Sequence, residues 1–191
     1  MIKLLLGFYY PQGGFITIDG TDIRQFDPIG LRQAISYVPQ QNQFFHGTIR
    51  QNMKLSVPDA SDESIVEAAD MAGLLPDILN LPEGFDTLLN DRVMSVFSSG
   101  FLQKLNLARA YLRKSSIMIL DEPGNTLDYE GDERLKATLE SMKKKKTMIV
   151  VTHRPSLINL ADRILVLQDG AMRAFGPKEK ILEILGGGGG K

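Results

Sequence analysis

No cysteine occurs among the 191 residues, which excludes both a disulfide framework and any thiolate metal site. Histidine is almost as scarce: His46 and His153 are the two present, so imidazole chemistry has two candidate positions. Long hydrophobic runs are missing too. The longest, within Ile2–Phe8 and at Met148–Val151, fall far short of the roughly 20 residues that cross a bilayer. No cleavage site follows the first apolar run, so Met1 opens no signal-peptide pattern. Neither sign of charge dominates: the formal net charge is -1 and the pI about 6.1, leaving no basic field to draw nucleic acid. The expectation is a soluble chain on the cytoplasmic side, held at a membrane, if at all, by another element.

What is present suits one globular domain, or one domain with a subdomain, since 43% of the residues are hydrophobic and 24% charged. Three short all-apolar runs mark the second half: Ile117–Leu120, Met148–Val151 and Ile164–Leu167. Continuous rather than alternating hydrophobicity predicts strands buried on both faces, as in a parallel sheet under helices. Between them, Phe101–Lys114 sets Phe101, Leu105, Ala108 and Leu112 on one helical stripe. A second helix is expected over Asp132–Lys146. Earlier, Gly14–Asp22 alternates and turns at Asp19-Gly20, reading as a half-exposed edge strand, and Ile35–Val38 reads as a strand stopped by Pro39. Asp59–Leu81 is helical and more polar. Strand and helix alternation of this kind gives an α/β fold with a mainly parallel sheet and a helical insertion. The tail from Gly186 to Lys191 is low in complexity and reads as a flexible end.

Chemistry concentrates where the apolar runs stop. Ile117–Leu120 ends in Asp121-Glu122, and carboxyl ends of strands are where open α/β sheets hold ligands. Adjacent carboxylates on extended backbone point apart, so one can face a magnesium ion and the other a water. An isolated Asp-Glu pair is as easily a solubilising strand cap. However, Met148–Val151 ends in Thr152-His153, bringing a second polar group to a strand end. Ser98-Ser99-Gly100 opens the amphipathic helix, and free amides at a helix start favour an anion. Taken alone, that serine is simply an N-cap.

Together these residues resemble the ATP-binding cassette (ABC) family. Phe97–Ala110 (FSSGFLQKLNLARA) resembles the signature LSGGQ and its helix, and Ile119–Asp128 (ILDEPGNTLD) the Walker B strand with the D-loop. Val151–Ser156 (VTHRPS) resembles the switch-histidine segment. Tyr37–Gln40 (YVPQ) with Phe45–Ile49 (FHGTI) is similar to the Q-loop of exporters, and Pro82–Thr87 (PEGFDT) to the stretch before their signature. The motifs keep the family's order to about Leu185. His153–Leu157, Asp162–Leu167 and Phe175–Pro177 look like type I secretion ATPases. The resemblance implies an incomplete P-loop NTPase (RecA-like) core with an inserted helical subdomain. The ranges expected are 1–42 for the first part of the core, 43–105 for the signature subdomain, 106–185 for the remaining core and 186–191 for the tail. It implies ATP and Mg²⁺ as cofactors. Asp121 and Gln40 would serve the metal, Glu122 would act as general base, and His153 would contact the γ-phosphate. Ser98, Ser99 and Gly100 would meet ATP held by a second nucleotide-binding domain in a head-to-tail dimer, with Asp128 at that contact. Gln40 would sense a transmembrane domain, and the adjoining Phe44-Phe45 would either dock it or simply pack the helical subdomain; this places the chain on the inner membrane's cytoplasmic side as the ATPase of an exporter.

The pattern also breaks. No Gly-Lys-Ser or Gly-Lys-Thr occurs, so the phosphate loop G-x-x-G-x-G-K-[ST] is absent from these residues. Ile2–Tyr9 is similar to the end of the helix that follows that loop, as if the chain were N-terminally truncated, and the strand carrying Asp121 is then expected to lose a neighbour. Ser99 stands where the signature has glycine, Phe101 where it has glutamine, and Gly124-Asn125 where Thr-Ser is usual. The alternative reading is a non-catalytic or degenerate domain that dimerises but does not bind ATP alone. An ABC ATPase without membrane partners fits the exporter-like Q-loop less well.

Overall fold

The computed structural model describes residues 1–186, apart from the side chain of Val93. It separates into two compact units, Met1–Val151 and Thr152–Lys191. The Gly-rich tail expected at 186–191 lies, from residue 187 on, outside the described residues.

The first unit opens with α1 (Ile2–Leu5) and a hairpin of two short strands, β1 (Thr17–Ile18) and β2 (Thr21–Asp22). This corrects the single edge strand expected over Gly14–Asp22. Asp19 and Gly20 adopt φ 50° and 82°, and consecutive left-handed residues close a two-residue hairpin whose twist matches its strands. Next come α2 (Pro28–Gln33), capped by the Asp27 side chain, and β3 (Ile35–Val38). A helical stretch follows, with β4 (Gly47–Thr48), α3 (Ile49–Lys54), α4 (Asp62–Met71), α5 (Leu75–Leu79), β5 (Leu88–Leu89) and α6 (Asp91–Met94). Helix α7 (Ser99–Leu112), strand β6 (Ile117–Asp121), helix α8 (Tyr129–Met142) and strand β7 (Thr147–Val151) complete the unit.

Strands β3, β6 and β7 form a parallel sheet in that order. Its register aligns Val38 with Leu120 and Leu120 with Val150. Strand β6 therefore has neighbours on both sides, against the expectation that it would lose one. Strands β3 and β7 form the two edges among the described residues, and the apolar run of β7 is half-buried rather than buried. Leu6, Ile23, Leu31, Ile35 and Ile119 make one core cluster under the sheet. Helix α7 packs against β3, α3 and α4, and the four stripe residues Phe101, Leu105, Ala108 and Leu112 are all buried. It continues unbroken through positions 105 and 106. Helix α8 starts at Tyr129 because the Asp128 side chain caps it, and it ends at Met142, so Lys143–Lys146 lie past its end rather than inside it.

The second unit holds α9 (Pro155–Ile158), β8 (Arg163–Gln168), β9 (Ala171–Pro177) and α10 (Lys178–Gly186). Strand β8 corrects the doubly buried parallel strand expected at Ile164–Leu167. It pairs antiparallel with β9 and exposes alternate residues. Asp169 and Gly170, at φ 50° and 77°, make the hairpin turn.

Candidate functional site

Parallel pairing fixes the candidate edge. Strands β3, β6 and β7 all point their carboxyl ends the same way, so Val38, Asp121 and Val151 finish side by side, with neighbouring strands about 4.8 Å apart. Gln40 follows β3 by two residues and is exposed; Asp121 is half-buried. Glu122 leaves the strand with φ 50°, a left-handed conformation rare outside glycine. Its amide nevertheless donates to the Val151 carbonyl at 2.8 Å, and its carbonyl accepts from the Asn125 amide at 3.3 Å. The chain is thereby turned off the sheet while staying tied to β7. His153 follows β7 by two residues but belongs to the second unit, where it is exposed and the Thr152 hydroxyl accepts from the Arg154 amide at 3.1 Å.

The segment after Glu122 docks onto the start of α7. Ser98 is the N-cap, its Oγ accepting from the Phe101 amide at 3.1 Å. The Thr126 hydroxyl donates to the Ser99 carbonyl at 3.2 Å, and buried Gln103 donates from Nε2 to the Pro123 carbonyl at 3.0 Å. A Cβ on Gly100 would sit 3.2 Å from the Thr126 carbonyl oxygen, so this glycine is what lets the two segments approach. Asp128 then caps α8, its Oδ1 accepting from the Gly131 amide at 2.8 Å. A groove results, lined by Ser98, Ser99, Gly100, Lys104, Thr126 and Asp128 among others. The two unusual signature residues part company here. Ser99 is exposed, whereas the Phe101 ring is buried and stacks on Phe97 with centroids 4.2 Å apart. Gln103 and Thr126 were not singled out from sequence.

Electrostatics favour a cation at Asp121. Its carboxyl is held above the ordinary aspartate value by burial first and by the neighbouring Glu122 charge second, partly offset by the amino terminus. Burial also raises Tyr37, with Asp121 adding to it. Among the described residues no three acidic or histidine side chains cluster. Mg²⁺ needs no such cluster, because it keeps waters and binds through one or two carboxylates plus phosphate. Two adjacent carboxylates, one of them half-desolvated, fit that requirement.

A second surface lies beyond Gln40. Asn52 of α3, fully buried, accepts from the Phe45 amide at 3.1 Å and donates to the Phe45 and Thr48 carbonyls. Thr48 and Gln51 form a capping box that starts α3. Phe45, His46, Arg50, Lys54, Leu55 and Pro58 line an open groove there. His46 stands at its rim 3.8 Å from Asp91, both exposed. Arg50 is held by Asp62 and Asp86 and lies over the Phe85 ring.

The family model described as ABC transporter matches residues 1–125. A type I secretion system ATP-binding protein, PrsD of Rhizobium meliloti, is 38% identical over 183 residues, covering 95% of this chain and 31% of that protein. An ATP-binding/permease protein of Staphylococcus aureus, provisionally named for multidrug export, is 37% identical over 182 residues, with the same two coverages. A bacterial Atm1-family ABC exporter, solved with ATP bound, superposes with a TM-score of 0.90 at 32% identity, over 96% of this chain and 32% of that one. The chain thus spans about a third of the length of these relatives.

Proposed function

The chain belongs to the ABC transporter family, and on that premise we propose that it is the ATP-binding and ATP-hydrolysing domain of an exporter of proteins, peptides or lipids. The carrying observation is the single sheet edge where Asp121 and Glu122 emerge and the following loop locks onto the Ser98–Gly100 turn. In this reading Asp121 and Gln40 hold Mg²⁺ through water, and the ion supplies neutralising charge to phosphate oxygens. Glu122 orients the attacking water and accepts its proton, while His153 steadies charge on the transferred group. The exposed amides at the start of α7 face the nucleotide held by a second domain in a head-to-tail dimer, with Asp128 at that contact. The Phe45–Pro58 groove receives a transmembrane domain, so the chain works at the cytoplasmic face of the inner membrane. Residues 43–105 act as the signature subdomain, and 1–42 with 106–185 as the core.

The other reading, a domain that pairs without hydrolysing, draws on Ser99, on the Phe97–Phe101 stack, and on a sequence that holds no phosphate loop. Calorimetric titration with ATP and Mg²⁺ separates the two. The 191 residues alone are expected to bind weakly. Joining a segment that supplies G-x-x-G-x-G-K-[ST] upstream is expected to raise affinity at least about tenfold and to permit turnover, which Glu122→Gln abolishes without loss of binding. Turnover that survives Glu122→Gln overturns the catalytic reading.

A further inference from the structure

Asparagine is a poor choice for the middle of a buried helix. It has lower helix propensity than leucine or alanine, and burying an amide without a partner costs about 1–3 kcal/mol. Asn106 nevertheless sits at the centre of α7, buried, and its Nδ2 donates to the Asn42 Oδ1 at 2.9 Å. One turn on, Arg109 donates to the Gln43 carbonyl at 2.8 Å and lies over the Phe44 ring, 5.3 Å from its centroid. From the other side, Asn52 grips both the amide and the carbonyl of Phe45. The segment 42–45 is therefore tied to α7 at Asn42, Gln43 and Phe44 and to α3 at Phe45, with Asn42 and Phe44 half-buried, whereas Gln40 and Gln41 before it are exposed. The same helix α7 carries, at its other end, the turn that holds Thr126 and Pro123.

We propose that the Asn42–Asn106 amide bridge is a positioning contact: it sets where the loop after β3 leaves α7, and so where Gln40 stands relative to Asp121. Gln40 lies two residues from the bridge on one side and two from the end of β3 on the other, leaving little slack between two fixed points. Shape alone would be served by an apolar side chain at 106. A directed amide hydrogen bond favours one register of loop against helix, which an apolar contact does not. The inference rests on the reading of Gln40 as a metal or water contact given above.

Hydrogen exchange on the 191-residue chain tests the bridge without ATP. Asn106→Ala and Asn42→Ala are each expected to speed exchange of the amides at 42–45 about tenfold, with the rest of α7 unchanged. The double variant should be no faster than either single one, and Asn106→Leu, which restores volume, should not restore protection. Uniformly faster exchange along α7, or additive singles, overturns the proposal and leaves Asn106 as packing. The consequence for Gln40 is read in a form that turns over ATP. There, Asn106→Ala should raise the half-saturating Mg²⁺ concentration severalfold while leaving turnover at saturating Mg²⁺ near the parent's. An unchanged Mg²⁺ requirement, in a protein whose Glu122→Gln variant is dead, sinks the inference alone. A live Glu122→Gln variant sinks the functional reading instead.

Discussion

The Glu122 amide donates to the Val151 carbonyl at 2.8 Å although Glu122 itself sits at φ 50°. The last rung linking β6 to β7 is thus made by a residue in a conformation that L side chains avoid at a cost of about 1–2 kcal/mol. Strain at a proposed catalytic base is a trade of stability for position. Glu122→Gly is expected to raise stability by up to about 1 kcal/mol, or roughly 2–4 °C in Tm for a chain of this size. It should also abolish hydrolysis in an ATP-competent form. Glu122→Val, β-branched, should lower Tm. Thermal melts of the three proteins check this, and equal Tm values for valine and glycine variants would remove the strain argument.

Gly100 is the hinge of the second relationship. A methyl group there meets the Thr126 backbone oxygen at 3.2 Å, and backbone yields less easily than a side chain. Gly100→Ala is expected to push the 123–128 segment off α7 and weaken the Thr126–Ser99 and Gln103–Pro123 bonds together. Faster hydrogen exchange confined to residues 123–128 and a Tm lower by a few degrees are the expected readings. Unchanged exchange would show that the loop follows the helix without loss.

Asp121 makes stability depend on pH in a direction that can be worked out. Its folded carboxyl is raised above the ordinary aspartate value of 3.8 by burial and by Glu122. A raised carboxyl binds its proton more tightly folded than unfolded, so ionisation penalises the fold. The penalty is absent well below pH 3.8, grows as pH rises through the folded value, and stays constant above it. Asp121→Asn should therefore be more stable than the parent at pH 7, with the difference vanishing in acid. Mg²⁺ should narrow the gap by stabilising the parent and not the variant. A variant less stable at neutral pH would mean that the carboxylate is held by attractions larger than its burial.

Much of this was legible in the sequence for definite reasons. Of the three continuous apolar runs, Ile117–Leu120 and Met148–Val151 joined the parallel sheet beside the strand Ile35–Val38, because strands covered by helices need no polar alternation, whereas Ile164–Leu167 went to an antiparallel hairpin. Ser98 before an apolar stripe became a capped helix. Asp19-Gly20 reads as a turn in the sequence, yet the one strand expected around it divides into a hairpin, and beside the apolar run Ile164–Leu167 the two-residue turn signal Asp169-Gly170 went unread. Gln103, Asn106 and Thr126 could not be given partners in advance. A buried amide or hydroxyl takes its role from whichever carbonyl the tertiary fold brings to it, and residues 20 to 64 positions away supplied theirs.

Tyr111 offers a test of how completely the interior is satisfied. It lies in the last turn of α7, 6% exposed, and its hydroxyl has no hydrogen-bond partner among the described residues. Burial pushes its ionisation far above the ordinary tyrosine range, so it stays neutral at working pH and carries no charge that a partner could need. An unpaired buried hydroxyl costs about 1–3 kcal/mol in lost hydration. Tyr111→Phe removes the hydroxyl, keeps the ring and leaves no large cavity. It is therefore expected to hold or raise stability, by up to about 2 kcal/mol, whereas Tyr111→Ala should lose about 3–5 kcal/mol through the cavity it opens. Urea denaturation of both variants decides the point. A phenylalanine variant destabilised by more than about 1 kcal/mol would mean that an ordered water serves the hydroxyl.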